Sequence, residues 1–190
     1  MKIGYLGPQG TYTEEATDQF IIQQGIVKSE KVSFTSIKTV FESLDKQEVK
    51  ALVVPLRNSI AGDYKETSEC LQNYRVLQVD YLKLKIKLAI GIHPKAVKED
   101  VTEIKSKDTA LKECAIYLKR NFSQASKVEV ESTSTTMEEI IVNNLRSVAA
   151  IGSERGMRLY GLKIINEDIG DKKENVTTFI YLVKKHEGRV

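Results

Sequence analysis

The chain has few of the residues from which metal and redox sites are built. Its 190 residues include two cysteines and two histidines. Cys70 and Cys114 stand alone, without the C-x-x-C spacing of zinc or thioredoxin-like sites, and each falls in a segment with helical apolar spacing. Both are expected to be buried structural thiols. His93 and His186 are far apart and belong to no H-E-x-x-H or similar ligand cluster, so no metal is expected. The opening MKIGYLGPQG lacks the apolar core of roughly 7–15 residues that marks a signal peptide. No later apolar run approaches the ~20 residues of a membrane helix. These absences predict a cytoplasmic protein with no membrane partner. One sign of charge is also missing as a block: 29 basic and 26 acidic residues are spread along the chain, leaving a net +3. No basic stripe is set to neutralise nucleic-acid phosphates, and nucleic acid is not an expected partner.

What is present is ordinary for a folded domain. Hydrophobic residues make up 41% and charged residues 29%, with no low-complexity tract, so the chain is expected to be folded throughout, as one domain or two small lobes. Strand and helix signals alternate. Lys2 to Leu6 reads as a strand, followed by a Gly-Pro-Gln-Gly turn and a helix from about Tyr12 to Gln24 with Ala16, Phe20 and Ile21 at core spacing. Thr11 and Glu14 form a plausible capping box, the hydroxyl taking a first-turn N–H and the carboxylate returning to the cap. Lys31 to Thr35 is a second strand, Ile37 to Leu44 a helix, and Ala51 to Val54 a buried strand ending at Pro55. Such alternation predicts α/β layers, whose ligands collect at the carboxyl ends of strands; Gly7 to Thr11 and Pro55 to Gly62 sit at such ends.

From Val76 to Ile92 the period becomes two. Leu82, Leu84, Ile86 and Leu88 alternate with Lys83, Lys85 and Lys87, which makes this a half-exposed strand and the expected crossing between lobes. The lysines read as the solvated face of that strand, or else as an anion-binding comb. A helix from Asp108 to Arg120, a strand Val128 to Val130, a helix Thr135 to Asn143, a strand Val148 to Ile151 and a helix Ser153 to Tyr160 then form a second α/β lobe. Strands from Lys163 to Glu167 and Thr177 to Lys184 close the chain, the latter apolar and β-branched enough to be central.

Three runs carry candidate chemistry. GPQGTYTEEA puts Gly7, Gly10 and Thr11 before a helix N-terminus, where backbone N–H groups and the helix dipole favour a carboxylate or phosphate, though such glycines often serve geometry alone. It lacks the spacing of nucleotide-binding loops. VVPLRNSIAG presents Arg57, Asn58 and Ser59 on an expected loop, where they can recognise an oxyacid or merely make an Asx-type turn. YGLKIINEDIGDKKENVTTF, from Tyr160 to Phe179, is the third.

In order and spacing these runs resemble prephenate dehydratase. That family's G-P-x-G-T-[FY]-[ST] run is matched by Gly7 to Thr13, and its V-P-x-E-N-S-x-x-G by Val53 to Gly62. Its Y-G-L, D and N-x-T-R-F groups are matched by Tyr160, Gly161, Leu162, Asp171, Asn175, Thr177 and Phe179. SKDTALKEC, from Ser106 to Cys114, is similar to the family's S-H-P-Q-A-L-x-Q-C, and Ser132 and Thr133 fit a family turn. The resemblance covers about residues 1 to 184.

The resemblance implies an α/β, two-lobed fold like the type II periplasmic binding proteins, with a cleft between lobes. We expect lobe 1 to comprise residues 1–78 and 165–190 and lobe 2 residues 79–164. It also implies a cofactor-free lyase of phenylalanine biosynthesis, converting the dicarboxylate prephenate to phenylpyruvate, in a homo-oligomer (dimer or tetramer). Because the chain ends at Val190, the phenylalanine-sensing ACT domain common in the family is expected to be absent.

By the same resemblance Thr177 takes the acid role, Asn58, Ser59 and Ser106 supply neutral hydrogen bonds, and Phe179 packs the cleft floor. Three positions depart from the pattern. The family's Glu before Asn-Ser is Arg57, its Arg in T-R-F is Thr178, and its Gln before Cys is Glu113. The formal charge of the trio is conserved, so Arg57 is expected to supply the carboxylate clamp and Glu113 its acidic partner. A related prephenate lyase or decarboxylase, and a noncatalytic small-carboxylate binder of the same fold, are the alternatives.

Overall fold

A computed structural model describes residues 1–185, which divide into two compact units. The first begins with β1 (Lys2–Leu6), α1 (Tyr12–Gln23), β2 (Glu30–Phe34), α2 (Ile37–Asp45), β3 (Ala51–Asn58), β4 (Gly62–Asp63), α3 (Lys65–Asn73) and β5 (Val76–Lys85). The second comprises β6 (Ala89–Ile92), β7 (Glu103–Ser106), α4 (Asp108–Glu113), α5 (Ala115–Asn121), β8 (Ser126–Glu129), α6 (Thr133–Val142), β9 (Val148–Gly152), α7 (Glu154–Tyr160) and β10 (Lys163–Asn166). The chain then returns to the first unit as β11 (Val176–Lys184).

In the first unit the sheet order is β2-β1-β3-β11-β5, with β4 beside β3. β11 is interior, as its β-branched, apolar sequence predicts, and runs antiparallel to both neighbours. α2 buries Ile37, Val40, Phe41 and Leu44, spaced to line one helix face, and Ser36 and Thr39 make a reciprocal capping box at its start. Against them pack Leu52 and Val54 of β3 and Ile180 and Leu182 of β11. α1 turns Ala16 and Phe20 inward, and Phe20 meets Tyr181 of β11 with ring centroids 5.5 Å apart.

In the second unit the order is β10-β6-β9-β7-β8. β9, VAAIG, is buried throughout. Ala149 and Ile151 face one cluster with Ile104 and Leu118, while Val148 and Ala150 face another with Met137 and Met157. Such a short, continuous apolar run is what a strand covered on both faces requires.

The units meet the chain at Lys85/Ile86 and Glu174/Asn175, not at 78/79 and 164/165. β5 stays paired with β11 down to Val176↔Lys85, and β10 is held in the second unit by its pairing with β6. The expected strand from Val76 to Ile92 is two strands in different sheets, β5 and β6, and two further boundaries differ from expectation. β3 does not end at Pro55 but runs to Asn58, because Pro55 sits at a bulge: Thr178 faces Arg57 and Phe179 faces Pro55, leaving Leu56 as the extra residue. The expected helix Asp108 to Arg120 breaks at Cys114, where φ is −112° and ψ 13°. There the Asp171 carboxylate accepts from the N–H groups of Ile116 and Tyr117, and Asp171 N–H donates to the Glu113 carbonyl.

Cys70 and Cys114 are buried free thiols. Burial pushes Cys114 up to about 12, with the negative charges of Asp171 and Glu113 adding to it. A raised thiol pKa keeps the folded form protonated while the unfolded form ionises near 9, so this thiol draws stability away as pH climbs from about 9 toward 12. At pH 8 iodoacetamide is expected to leave Cys114 unmodified in the native chain and to label it after denaturation; mass spectrometry reads the difference. No helix among the described residues is long and apolar enough to cross a membrane.

Candidate functional site

In the first unit, Asn58, Asn175 and Thr177 form a buried polar cluster where β3 ends and β11 begins. Asn58 Oδ1 accepts from the N–H groups of Ile60 and Ala61, both at 2.8 Å, closing the turn that leads to Gly62. Its Nδ2 donates to Asn175 Oδ1 at 2.6 Å and to Thr177 Oγ1 at 2.9 Å. The Asx turn and the contacts to Asn175 and Thr177 are thus served by opposite ends of one amide. Thr177 Oγ1 is consequently an acceptor, and no acceptor for its own proton lies within hydrogen-bonding distance among the described residues. Ser59 locks the same corner, its N–H donating to the Val176 carbonyl and its Oγ accepting from Val176 N–H.

Arg57 lies one residue from Asn58 on the same strand, and successive strand residues point to opposite faces. Its register partners are Thr178 on β11 and Asp63 on β4, and its Nε is 3.4 Å from Asp63 Oδ1. Both charged side chains are about two-thirds exposed or more (71% and 66%). Arg57 is thus paired with Asp63, whereas Thr177 takes its hydrogen bond from Asn58. Because positions 57 and 178 face each other across the ladder, the family's Glu and Arg there would be cross-strand neighbours. Arg57 and Thr178 alter one such pair, with Asp63 as the new acidic partner. Glu113 lies in the second unit. It ends α4, half-buried, where its carbonyl holds Asp171.

The glycine turn before α1 also differs from its expected use. Gly10, at φ 81°, gives its N–H to the chain's own Glu14 Oε2 at 2.8 Å, so this group is taken by an internal carboxylate. Thr11 Oγ1 accepts from Glu14 N–H as the capping box requires, but the carboxylate returns to Gly10 and not to Thr11. Glu14 is buried, and Lys31 Nζ neutralises it at 2.8 Å while also reaching Asp18 at 2.6 Å.

Within the second unit Ser106 is fully buried at the end of β7. Its Oγ donates to the Ile151 carbonyl at 2.8 Å and lies 3.4 Å from Thr133 Oγ1 at the start of α6, which Ser132 caps. Gly152 keeps this corner tight, since an added Cβ would meet Thr133 Cγ2 at 2.9 Å. Tyr160-Gly161-Leu162 is a helix end: Gly161 takes the left-handed conformation, φ 78°, after α7. Phe179, on β11, is a buried core residue of the first unit. His93 makes a local turn, its Nδ1 accepting from Lys95 N–H, and His186 lies outside the described residues. No group of three or more His, Cys, Asp or Glu among the described residues is placed to hold a metal.

Reading the sequence for function missed Asn175, Asp171 and the Glu14–Lys31 pair as working parts. Asn175 and Asp171 were visible as members of the third motif, but their partners lie far away in the chain. Lys31 carried no signal.

The prephenate dehydratase family model matches residues 3–187. A prephenate dehydratase of Methanocaldococcus jannaschii is 35% identical over 185 residues, covering 95% of this chain and 64% of that protein. The chain spans less than two thirds of the length of the curated relatives it matches. The crystal structure of prephenate dehydratase from Arthrobacter aurescens superposes with a TM-score of 0.87 at 24% identity, over all of this chain and 63% of that one. A periplasmic substrate-binding protein of an ABC transporter from Coxiella burnetii superposes with a TM-score of 0.52 at 11% identity, over 97% of this chain and 84% of that one, which is a likeness of fold alone. With its two α/β units, of the type II periplasmic-binding-protein kind, this chain belongs to the prephenate dehydratase family.

Proposed function

We propose that the chain carries out its family's reaction on prephenate, with Thr177 as the proton donor. In that reaction the bond from the ring to its carboxylate breaks and its electron pair enters the ring. The ring hydroxyl departs with the electron pair of its carbon–oxygen bond and takes up a proton, so that carbon dioxide, water and phenylpyruvate result. The ring becomes aromatic as these bonds break, which makes the proton transfer strongly downhill and lets a weak acid serve.

The observation that carries this reading is the Asn58 amide bonded to Thr177 Oγ1. An alcohol is ordinarily far too weak an acid to donate. An N–H already aimed at its oxygen stabilises the negative charge that grows there as the proton leaves, and does so without reorganisation. The hydroxyl proton, having no acceptor among the described residues, is available to a bound substrate. Solvent restores it after turnover. A cytoplasmic location and a homo-oligomeric state go with this reading.

Incubation of the 190-residue chain with prephenate is expected to yield phenylpyruvate together with carbon dioxide. Persistence of prephenate, or a decarboxylated product that stays nonaromatic, would overturn the reading. We assign no substrate contact to Arg57. Arg57→Ala is expected to leave kcat and KM within about fivefold, because an exposed ion pair contributes about 1 kcal/mol or less. A rise in KM of roughly a hundredfold would instead make Arg57 a carboxylate clamp, since a lost charge-assisted pair has an effect of that order.

A further inference from the structure

Asn58 has its oxygen fixed by two backbone N–H groups, those of Ile60 and Ala61, so the end that faces Asn175 and Thr177 is its NH2 group. That group has two protons. One goes to Asn175 Oδ1 at 2.6 Å, the other to Thr177 Oγ1 at 2.9 Å. Asn175 is itself buried, immediately ahead of β11, and separated from Asn58 by 117 positions.

Resting on the function proposed above, we propose that Asn175 is a positioning residue for the reaction: by accepting one Asn58 amide proton it turns the other onto Thr177 Oγ1, and so leaves the Thr177 hydroxyl proton as the one donated. The argument is one of satisfaction. A buried amide N–H that loses its acceptor is costly, and the group tilts to find another. Any tilt of Asn58 that serves its abandoned proton draws the second one away from Thr177. The hydroxyl then loses the donor that supports its developing charge and is free to point its own proton elsewhere. Substrate binding, which does not depend on that charge, is untouched.

The test compares Asn175→Ala with Asn175→Asp, which keeps an oxygen acceptor, in steady-state turnover of prephenate by the full chain. Asn175→Ala is expected to lower kcat roughly 10- to 100-fold with KM within about twofold, the size of effect that small misplacements of reacting groups produce. Its solvent deuterium isotope effect on kcat should rise, because proton donation becomes more nearly rate-limiting. Asn175→Asp is expected to restore kcat to within about threefold of the unsubstituted chain, since the acceptor that orients the amide is present again. A merely structural role would reduce the active fraction and leave the isotope effect unchanged. Equal loss in both variants with an unchanged isotope effect overturns the proposal, as does wild-type turnover by Asn175→Ala. Should Asn175→Ala fail to fold, Asn58→Asp serves in its place: it keeps the oxygen that binds Ile60 and Ala61 but has no amide protons, and undiminished kcat in that variant overturns the proposal equally. Absence of turnover in the unsubstituted chain overturns the proposed function, whereas turnover there with an indifferent Asn175 overturns this inference alone.

Discussion

Replacing Thr177 by alanine is expected to lower kcat on prephenate roughly a hundred- to ten-thousand-fold, the range over which positioned proton donors act. KM should change little, because the lost interaction is made chiefly as the leaving hydroxyl gathers charge, and a contact made only in the transition state appears in kcat. Thr177→Ser, which keeps the hydroxyl, should lie within about tenfold of the unsubstituted chain on the same grounds. The fold should survive: the substitution leaves one buried Asn58 amide proton without its acceptor, a loss of about 1–3 kcal/mol. Steady-state assay of phenylpyruvate formation, with a denaturation curve for each variant, separates the two effects. An alanine variant retaining more than a tenth of the activity would take the acid role away from Thr177.

Lys31→Met is expected to reduce unfolding free energy by about 2 kcal/mol, somewhat below the 3–5 kcal/mol typical when one partner of a buried ion pair is removed. Glu14 is almost completely inaccessible, with 6% of its side chain exposed, so its carboxylate depends on the partners the fold supplies. Lys31 is a quarter exposed, at 26%, and the Gly10 N–H remains in the variant; both moderate the loss. Adding Glu14→Gln to Lys31→Met should recover part of the deficit, because an amide is far less costly to bury without a cation than a carboxylate is. Urea denaturation reads both variants. A Lys31→Met curve superimposable on that of the parent would mean that solvent reaches Glu14 and that the pair is ornamental. Through Glu14 this pair also braces Gly10 in the turn before α1.

Much of the architecture could be read from periodicity. Ile37, Val40, Phe41 and Leu44 mark a helix face, and α2 buries them all. Leu82 and Leu84 against Lys83 and Lys85 mark a half-exposed strand, and β5 buries the leucines and exposes the lysines. The all-apolar VAAIG marks a strand covered on both sides, as β9 is. These patterns are local, and the physics behind them, which face meets water, is local too.

The site was legible in part, as a set of residue types and not as an arrangement. Asn58 was singled out, but its two roles emerged only once residues 117 and 119 positions later were brought beside it. Arg57 was read as a loop residue because Pro55 ordinarily ends a strand. A bulge in β3 itself, with Leu56 as the extra residue, lets the strand continue, and that continuation fixes Arg57 opposite Thr178. Gly10 was read as an anion-binding turn; its anion turned out to be Glu14, four residues along, made tolerable by Lys31 from the next strand. Asp171 capping the helix that starts after Cys114 was likewise invisible, because the helix in sequence looks unbroken.

The order of strands and helices, the faces they bury and the family of the chain were determined by the sequence, since propensity and hydrophobic alternation act over a few residues at a time. Which polar groups meet was decided only by the tertiary structure. A hydrogen bond has a reach of about 3 Å and a direction, and neither is specified until strands distant in the chain lie side by side in a definite register.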